Sequence, residues 1–330
     1  MLSSDDIAQI LSHYDLGQAC TISNARHGYV NETAFVETSG LRVVVRRCHP
    51  KLGEAAAIYR HQLIDCLLTH GLPVPALLHN RAGRSYTMIN GRVTEVQEYI
   101  VGEDFDAQRP AQVASAGALL ARYHQAVIGF AAPSSTASPR YTPLVIRGLT
   151  EILLERDIMG ELHEMLAWYD FQAAACSQQL PDQAYESLPQ LVIHGDMHAD
   201  NLRFDHDAAA GLLDFDQATW DARIVDLADA LVAFATAPQR DAAWQWGVFA
   251  GPLDIQLARF VLAGYQSIVP LTASERHALP VLIQVLWMRG ALGRVVATPE
   301  GAPDYHLAVL GQGQRLAEWM SDHAGELFAE

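Results

Sequence analysis

Three oxygen-bearing side chains in the stretch 191–216, LVIHGDMHADNLRFDHDAAAGLLDFD, define the chemistry open to this chain: Asp196, Asn201 and Asp214. An Asp can accept a proton from a hydroxyl, while an Asn and a second Asp offer hard oxygen ligands to magnesium, which leaves its other positions to water and phosphate. That is a minimal set for moving a phosphoryl group. A rival chemistry shares the stretch. His194, Asp196 and His198 alternate as H-x-D-x-H and could bind zinc or a two-metal centre, although such a site needs further ligands and leaves Asn201 and Asp214 unused.

Two apolar runs, 191–193 and 211–213, must position these groups. Each ends abruptly in charged residues, the pattern of short buried strands that deliver polar side chains from their ends.

With both loops quoted, the stretch resembles the protein-kinase-like small-molecule phosphotransferases, the family of aminoglycoside phosphotransferases, choline kinases and type II homoserine kinases. HGDMHADN matches their H-G-D-x-H-x-x-N loop and LLDFD their hydrophobic-D-[FWY]-[DE] metal loop. The resemblance implies an ATP- and magnesium-dependent transfer of the γ-phosphoryl group to the hydroxyl of a small polar molecule. Asp196 is then the catalytic base, with Asn201 and Asp214 as metal ligands. His198 and Asp216 are candidates for substrate or supporting contacts, Asp216 equally for a cap. Asp226 matches a family residue that braces the catalytic loop by hydrogen bonds.

Composition agrees with a small acceptor. A net charge of −16 speaks against nucleic acid as a partner, because phosphate binding needs a basic face. The length suits two lobes, and half the residues are hydrophobic. Cys20, Cys48, Cys66 and Cys176 show no metal-binding or disulfide spacing and read as reduced thiols. Neither a leader nor an uninterrupted apolar run of bilayer length is evident, so a cytoplasmic protein without a membrane partner is expected. Oligomeric state leaves no trace in the sequence.

Along the chain, Ser3, Ser4, Asp5 and Asp6 precede Ile7, Ile10, Leu11 and Tyr14 at helical spacing, which predicts a capped amphipathic helix. From Cys20 to Cys48 the pattern is a meander of short antiparallel strands. The turn at Gly28 admits backbone N–H groups close to phosphate, or is simply a turn; the family's nucleotide-covering loop falls here, and includes Asn31. Arg46 stands where the family carries its phosphate-contacting Lys, and its fork can grip phosphate. A helix over 54–70 carries Tyr59, Leu63 and Leu67 on one stripe. The family's partner Glu falls near Arg60, a departure that leaves three readings: Glu54 substitutes, the site is completed otherwise, or the protein is catalytically weak.

SYTMI and VTEVQEYI, separated by Asn90-Gly91, read as a hairpin. Gln97–Gly102 resembles the family's interlobe linker, where backbone groups near Glu98 and Ile100 bond adenine. Everything beyond Gly102 reads helical: a helix from Pro110 with His124 as a core histidine, a Ser/Pro/Thr-rich connector over 131–143, a helical region over 148–180, another helix from Trp220, and two helices over 254–297. Trp220, Tyr265, Trp287, Met288 and Arg289 are candidates for the acceptor pocket, with core packing the alternative for the aromatic residues.

The fold expected is α+β and two-lobed: residues 1–101 form a nucleotide-binding lobe of antiparallel sheet plus helix, and 102–330 a mostly helical catalytic and substrate lobe, with ATP between them by resemblance. HGDMH differs from the H-A-D-L-F of type II homoserine kinases, so homoserine, an amino alcohol, a sugar and an aminoglycoside all stand as acceptors. A nucleotide-binding regulatory module, motivated by Arg46 and the missing helix Glu, and a stress-response type Ser/Thr protein kinase are the alternatives.

Overall fold

Ser3 opens the first helix. In a computed structural model that describes residues 1–24, 31–133, 141–157, 160–237, 248–299 and 302–329, the Ser3 hydroxyl accepts from the Asp6 amide and the Asp6 carboxylate accepts from the Ser3 amide. This reciprocal cap satisfies donors that a helix start otherwise leaves unpaired. The helix α1 (Ser4–Leu11) buries Ile7, Ile10 and Leu11.

The strands β1 (Ala19–Asn24), β2 (Glu32–Thr38) and β3 (Arg42–Arg47) then form the meander, and the helix α2 (Glu54–Thr69) follows. The hairpin strands β4 (Thr87–Ile89) and β5 (Arg92–Glu98) turn through Asn90 and Gly91, at φ 51° and 73°. Both values match the turn type that follows strand twist in two-residue hairpins. The antiparallel sheet runs β1-β2-β3-β5-β4. Alternation along β2 and β3 sends Val36, Val43 and Val45 into a core shared with α1. Gly28 lies outside the described residues, as does most of the connector, 134–140.

The helix α3 (Pro110–Ala126) buries Val113, Ala116, Leu120 and His124. The helical region expected over 148–180 is two helices, α4 (Pro143–Arg156) and α5 (His163–Gln179), and a short α6 (Asp182–Glu186) follows. Not everything beyond Gly102 is helical. The strand β6 (Gln190–Ile193) leads to the loop that carries Asp196, β7 (Leu202–Asp205) and β8 (Ala208–Leu212) form a ribbon, and β9 (Thr219–Ala222) pairs antiparallel with β6. Trp220 and Asp221 therefore sit on a strand, and the helix α7 (Ile224–Phe234) starts after them. A partner thirty positions upstream, roughly, overrides local helical preference here.

The helices α8 (Ile255–Gln266), α9 (Ala273–Ala297) and α10 (Pro303–His323) complete the chain. A Cβ on Gly264 would stand 1.9 Å from the Ala114 carbonyl oxygen, and one on Gly117 would stand 2.2 Å from that of Val261. Only glycine permits α3 and α8 to cross so closely. By length and composition α9 is apolar enough to cross a bilayer, but charged residues interrupt it and 67% of its most apolar stretch is buried. It packs against α4, α7 and α10 and is apolar as a core helix.

The chain divides into two compact units. Asn201–Asp205 and Ala210–Asp216 belong with Met1–Glu103, and the rest forms the second unit. Within the first unit the Glu103 amide donates to the Phe204 carbonyl at 2.7 Å and the Leu212 amide to that of Pro73 at 2.8 Å.

Candidate active site

In the first unit, the antiparallel register sets Arg46 directly opposite Glu95. Both are buried, and Arg46 Nη1 donates to Glu95 Oε1 at 3.3 Å. Arg46 Nη2 donates to Asp216 Oδ2 at 2.9 Å and to Asp214 Oδ1 at 3.3 Å. Arg60, also buried, bridges Glu95 and Asp216 from α2. His61 bonds Glu95 at 2.9 Å, Gln97 donates to it at 2.9 Å, and Asn31 donates to Asp216. Burial pushes the Glu95 carboxyl up, but Arg60, the His61 bond and Arg46 hold it well below the ordinary carboxylate range.

Glu54, the substitute acid considered above, instead accepts from the Tyr86 hydroxyl. The acid opposite the strand cation comes from β5, and α2 contributes a second cation. Sequence reasoning missed this exchange, although its signal exists: Arg60, Leu63 and Leu67 share one buried face of α2, whereas Tyr59 is only half-buried. Glu95 lies in the middle of the buried residues of β5, 93–97, at a position with no exposure.

Asp214 adopts φ 59°, a left-handed conformation uncommon outside glycine and concentrated at functional sites. The Leu213 amide donates to the Asn201 carbonyl at 2.8 Å, which holds the two loops together. The residues fit a divalent cation: two guanidinium groups face three carboxylates, leaving one negative charge uncompensated, and the Asp214 side chain is 41% exposed. Among the described residues no three His, Cys, Asp or Glu side chains cluster to hold a metal alone. A cation on Asn201 and Asp214 would take its remaining ligands from phosphate and water, as magnesium does. In the linker, the Glu98 amide is spent on the Ala76 carbonyl at 2.9 Å.

In the second unit, His194 follows the end of β6 and the chain turns at Gly195, φ 74°. A Cβ there would stand 2.5 Å from the Gln217 carbonyl oxygen. Asp226, fully buried on α7, accepts from the His194 amide at 2.7 Å and the Gly195 amide at 2.8 Å. His124 approaches Asp226 at 3.1 Å and shares a 2.8 Å bond with the Tyr265 hydroxyl. Tyr265, offered above as a pocket residue, is thus part of the buried brace. Trp287 is fully buried and also leaves the pocket, and Trp220 is half-buried on β9 opposite Val192.

Asp196 and His198 line a cavity of about 360 Å³ together with Tyr141, Asp229, Phe249 and Leu286. His198 Nε2 is 3.5 Å from Asp196 Oδ2. His194 is buried edge-on to Tyr123, whereas His198 is 40% exposed, so the paired-imidazole metal site is not formed. Arg289 lies 5.0 Å from the centroid of the Tyr141 ring. Asp229 and Tyr141 carry no motif and escaped the sequence reading.

A model described as the phosphotransferase enzyme family matches residues 21–265. A homoserine kinase of Gluconacetobacter diazotrophicus is 30% identical over 308 residues, covering 91% of this chain and 89% of that protein. Among solved structures, an aminoglycoside phosphotransferase of Alicyclobacillus acidocaldarius superposes with TM-score 0.70 at 17% identity, covering 97% of this chain and 94% of that one. A microcompartment-associated aminopropanol kinase superposes with TM-score 0.64 at 15% identity, covering 99% of both. The structural neighbours carry the α+β phosphotransferase fold.

Proposed function

The chain belongs to the phosphotransferase enzyme family, and from that premise we propose that its acceptor is a small hydroxy amino acid or amino alcohol, with homoserine the first candidate. It is an ATP-dependent kinase acting on a hydroxyl group of a small molecule. The observation that carries the narrower reading is the cavity bearing Asp196. At about 360 Å³ it lies near the low end of the roughly 300–1,000 Å³ of ligand cavities, a size suited to an acceptor of a few heavy atoms. The homoserine kinase relative points the same way.

In this reading Asp196 orients the acceptor hydroxyl and takes its proton as the oxygen attacks phosphorus. Asp226 fixes the loop that carries Asp196 through its two amide bonds. Arg46 steadies phosphate, with Glu95 and Arg60 setting its position. Asn201 and Asp214 would hold magnesium, which would supply neutralisation of the charge on the transferred phosphoryl group. The regulatory-module alternative was motivated by a missing acid, and Glu95 supplies one.

The test is ADP release from Mg-ATP by the full chain over L-homoserine, 1-amino-2-propanol, choline, simple sugars and kanamycin. Turnover with one of the first two, well above the acceptor-free rate, is expected. Turnover confined to sugars or kanamycin would overturn the proposed acceptor.

A further inference from the structure

The acceptor cavity contains a carboxylate that neither proton transfer nor metal binding uses. Asp229 stands one helical turn beyond Asp226 on α7 and faces the same cavity as Asp196. Its nearest polar contact is the Tyr141 hydroxyl, at a long 3.4 Å. Arg289 acts on it electrostatically but lies against the Tyr141 ring rather than in an ion pair with Asp229. The wall opposite is built: the Phe249 ring sits over Gly290, and its backbone is held on both sides by the buried Gln312 amide, at 3.2 and 2.6 Å. Val232, Ala233 and Leu286 add apolar surface.

A carboxylate desolvated among apolar walls and flanked by other carboxylates is costly unless a cation meets it. Burial, Asp226 and Asp196 push the Asp229 carboxyl well above its ordinary range, against the pull of Arg289 and the Tyr141 hydroxyl. Among the described residues lining the cavity there is no Lys or Arg. We infer that Asp229 is the specificity-determining residue of this kinase and binds the ammonium group of the acceptor while the acceptor hydroxyl meets Asp196. The inference rests on the reading that this cavity takes the acceptor. It selects acceptors that carry an amine a few bonds from the hydroxyl over amine-free alcohols of the same size.

The experiment pairs L-homoserine with 4-hydroxybutanoate and 1-amino-2-propanol with 1,2-propanediol, on the wild type, Asp229→Asn and Asp229→Glu. Both ADP release and calorimetric binding are measured. The wild type is expected to prefer the amine-bearing member of at least one pair by roughly tenfold or more in KM. Asp229→Asn should erase that preference with KM for ATP unchanged and kcat altered much less, and Asp229→Glu should restore part of it. Equal use of amine-free partners by the wild type, or an unchanged amine KM in Asp229→Asn, overturns the inference while leaving the kinase reading standing. Amine binding by calorimetry that Asp229→Asn abolishes, without ADP release, upholds Asp229 and counts against the proposed acceptors. Absence of amine binding by both methods overturns the inference.

Discussion

Arg46 and Glu95 face each other across β3 and β5 in direct antiparallel register, both buried, joined by a 3.3 Å ion pair. Arg60 joins from α2 and binds the same carboxylate. The usual helix acid is therefore replaced by a strand acid between two cations. The exchange preserves what matters physically, a fixed carboxylate that holds the strand cation toward the Asp214 and Asp216 loop.

Glu95→Gln leaves two buried guanidinium groups short of one charge. Removing one partner of a buried pair costs about 3–5 kcal/mol, so the midpoint of urea unfolding should fall markedly. A change below about 1 kcal/mol would show that Asp214 and Asp216 alone compensate both cations.

Acid sensitivity follows from the same carboxylate. Arg60, His61 and Arg46 hold Glu95 below its ordinary value against burial; Arg223 and the Thr272 amide hold Glu275 down against its burial. Asp6 is lowered to about 2 by the Ser3 amide and hydroxyl. Groups lowered in the folded state bind fewer protons than in the unfolded chain, so their stabilisation is complete above the unfolded values near 4 and is lost as pH falls. Asp229, raised in the folded state, works in the opposite sense above about pH 4, so in an Asp229→Asn background thermal melts should drop steadily below about pH 5, with a shallower drop when Glu95→Gln is added. A melting temperature that rises on acidification would contradict the sign.

The first sheet was legible because alternation and turn residues are local: Ser3 with Asp6, the valines of β2 and β3, and Asn90-Gly91 each act on near neighbours. The loop 194–201 stood out because its residue types are those that the expected chemistry needs. Glu95 and Arg60 were not, since a buried ion pair depends on two positions 35 apart meeting in space, and each alone looks like surface charge. Trp220 was misread for the same reason, its strand existing only by pairing with β6. The apolar character of α9 comes from being enclosed, which composition does not distinguish from a membrane span.

The brace on the catalytic loop should act on rate more than on binding. Asp226 accepts two backbone amides with its two oxygens, and an Asn side chain can accept only one of them while turning an NH2 toward the other. Asp226→Asn should lower kcat by roughly ten- to a hundredfold, the scale expected when a reacting group is misplaced by about 1 Å. KM for ATP should hold, because the residue lies in the other unit from Arg46. A loss confined to KM for ATP would assign Asp226 a different role.

Asp196→Asn is the sharpest test of the assigned base. The substitution keeps shape but removes the charge and the ability to take a proton. The side chain is 41% exposed, and its contact with His198, itself 40% exposed, spans 3.5 Å. Exposed pairs of this kind contribute about 0–1 kcal/mol, so unfolding should hardly change. Arg46, Asn201 and Asp214 are untouched, so calorimetric binding of Mg-ATP should persist. Acceptor-dependent ADP release should nevertheless fall by roughly 10²–10⁴-fold, the contribution of a positioned general base. Unaltered turnover with an identified acceptor would mean that the hydroxyl proton leaves by another route and that Asp196 only orients the acceptor.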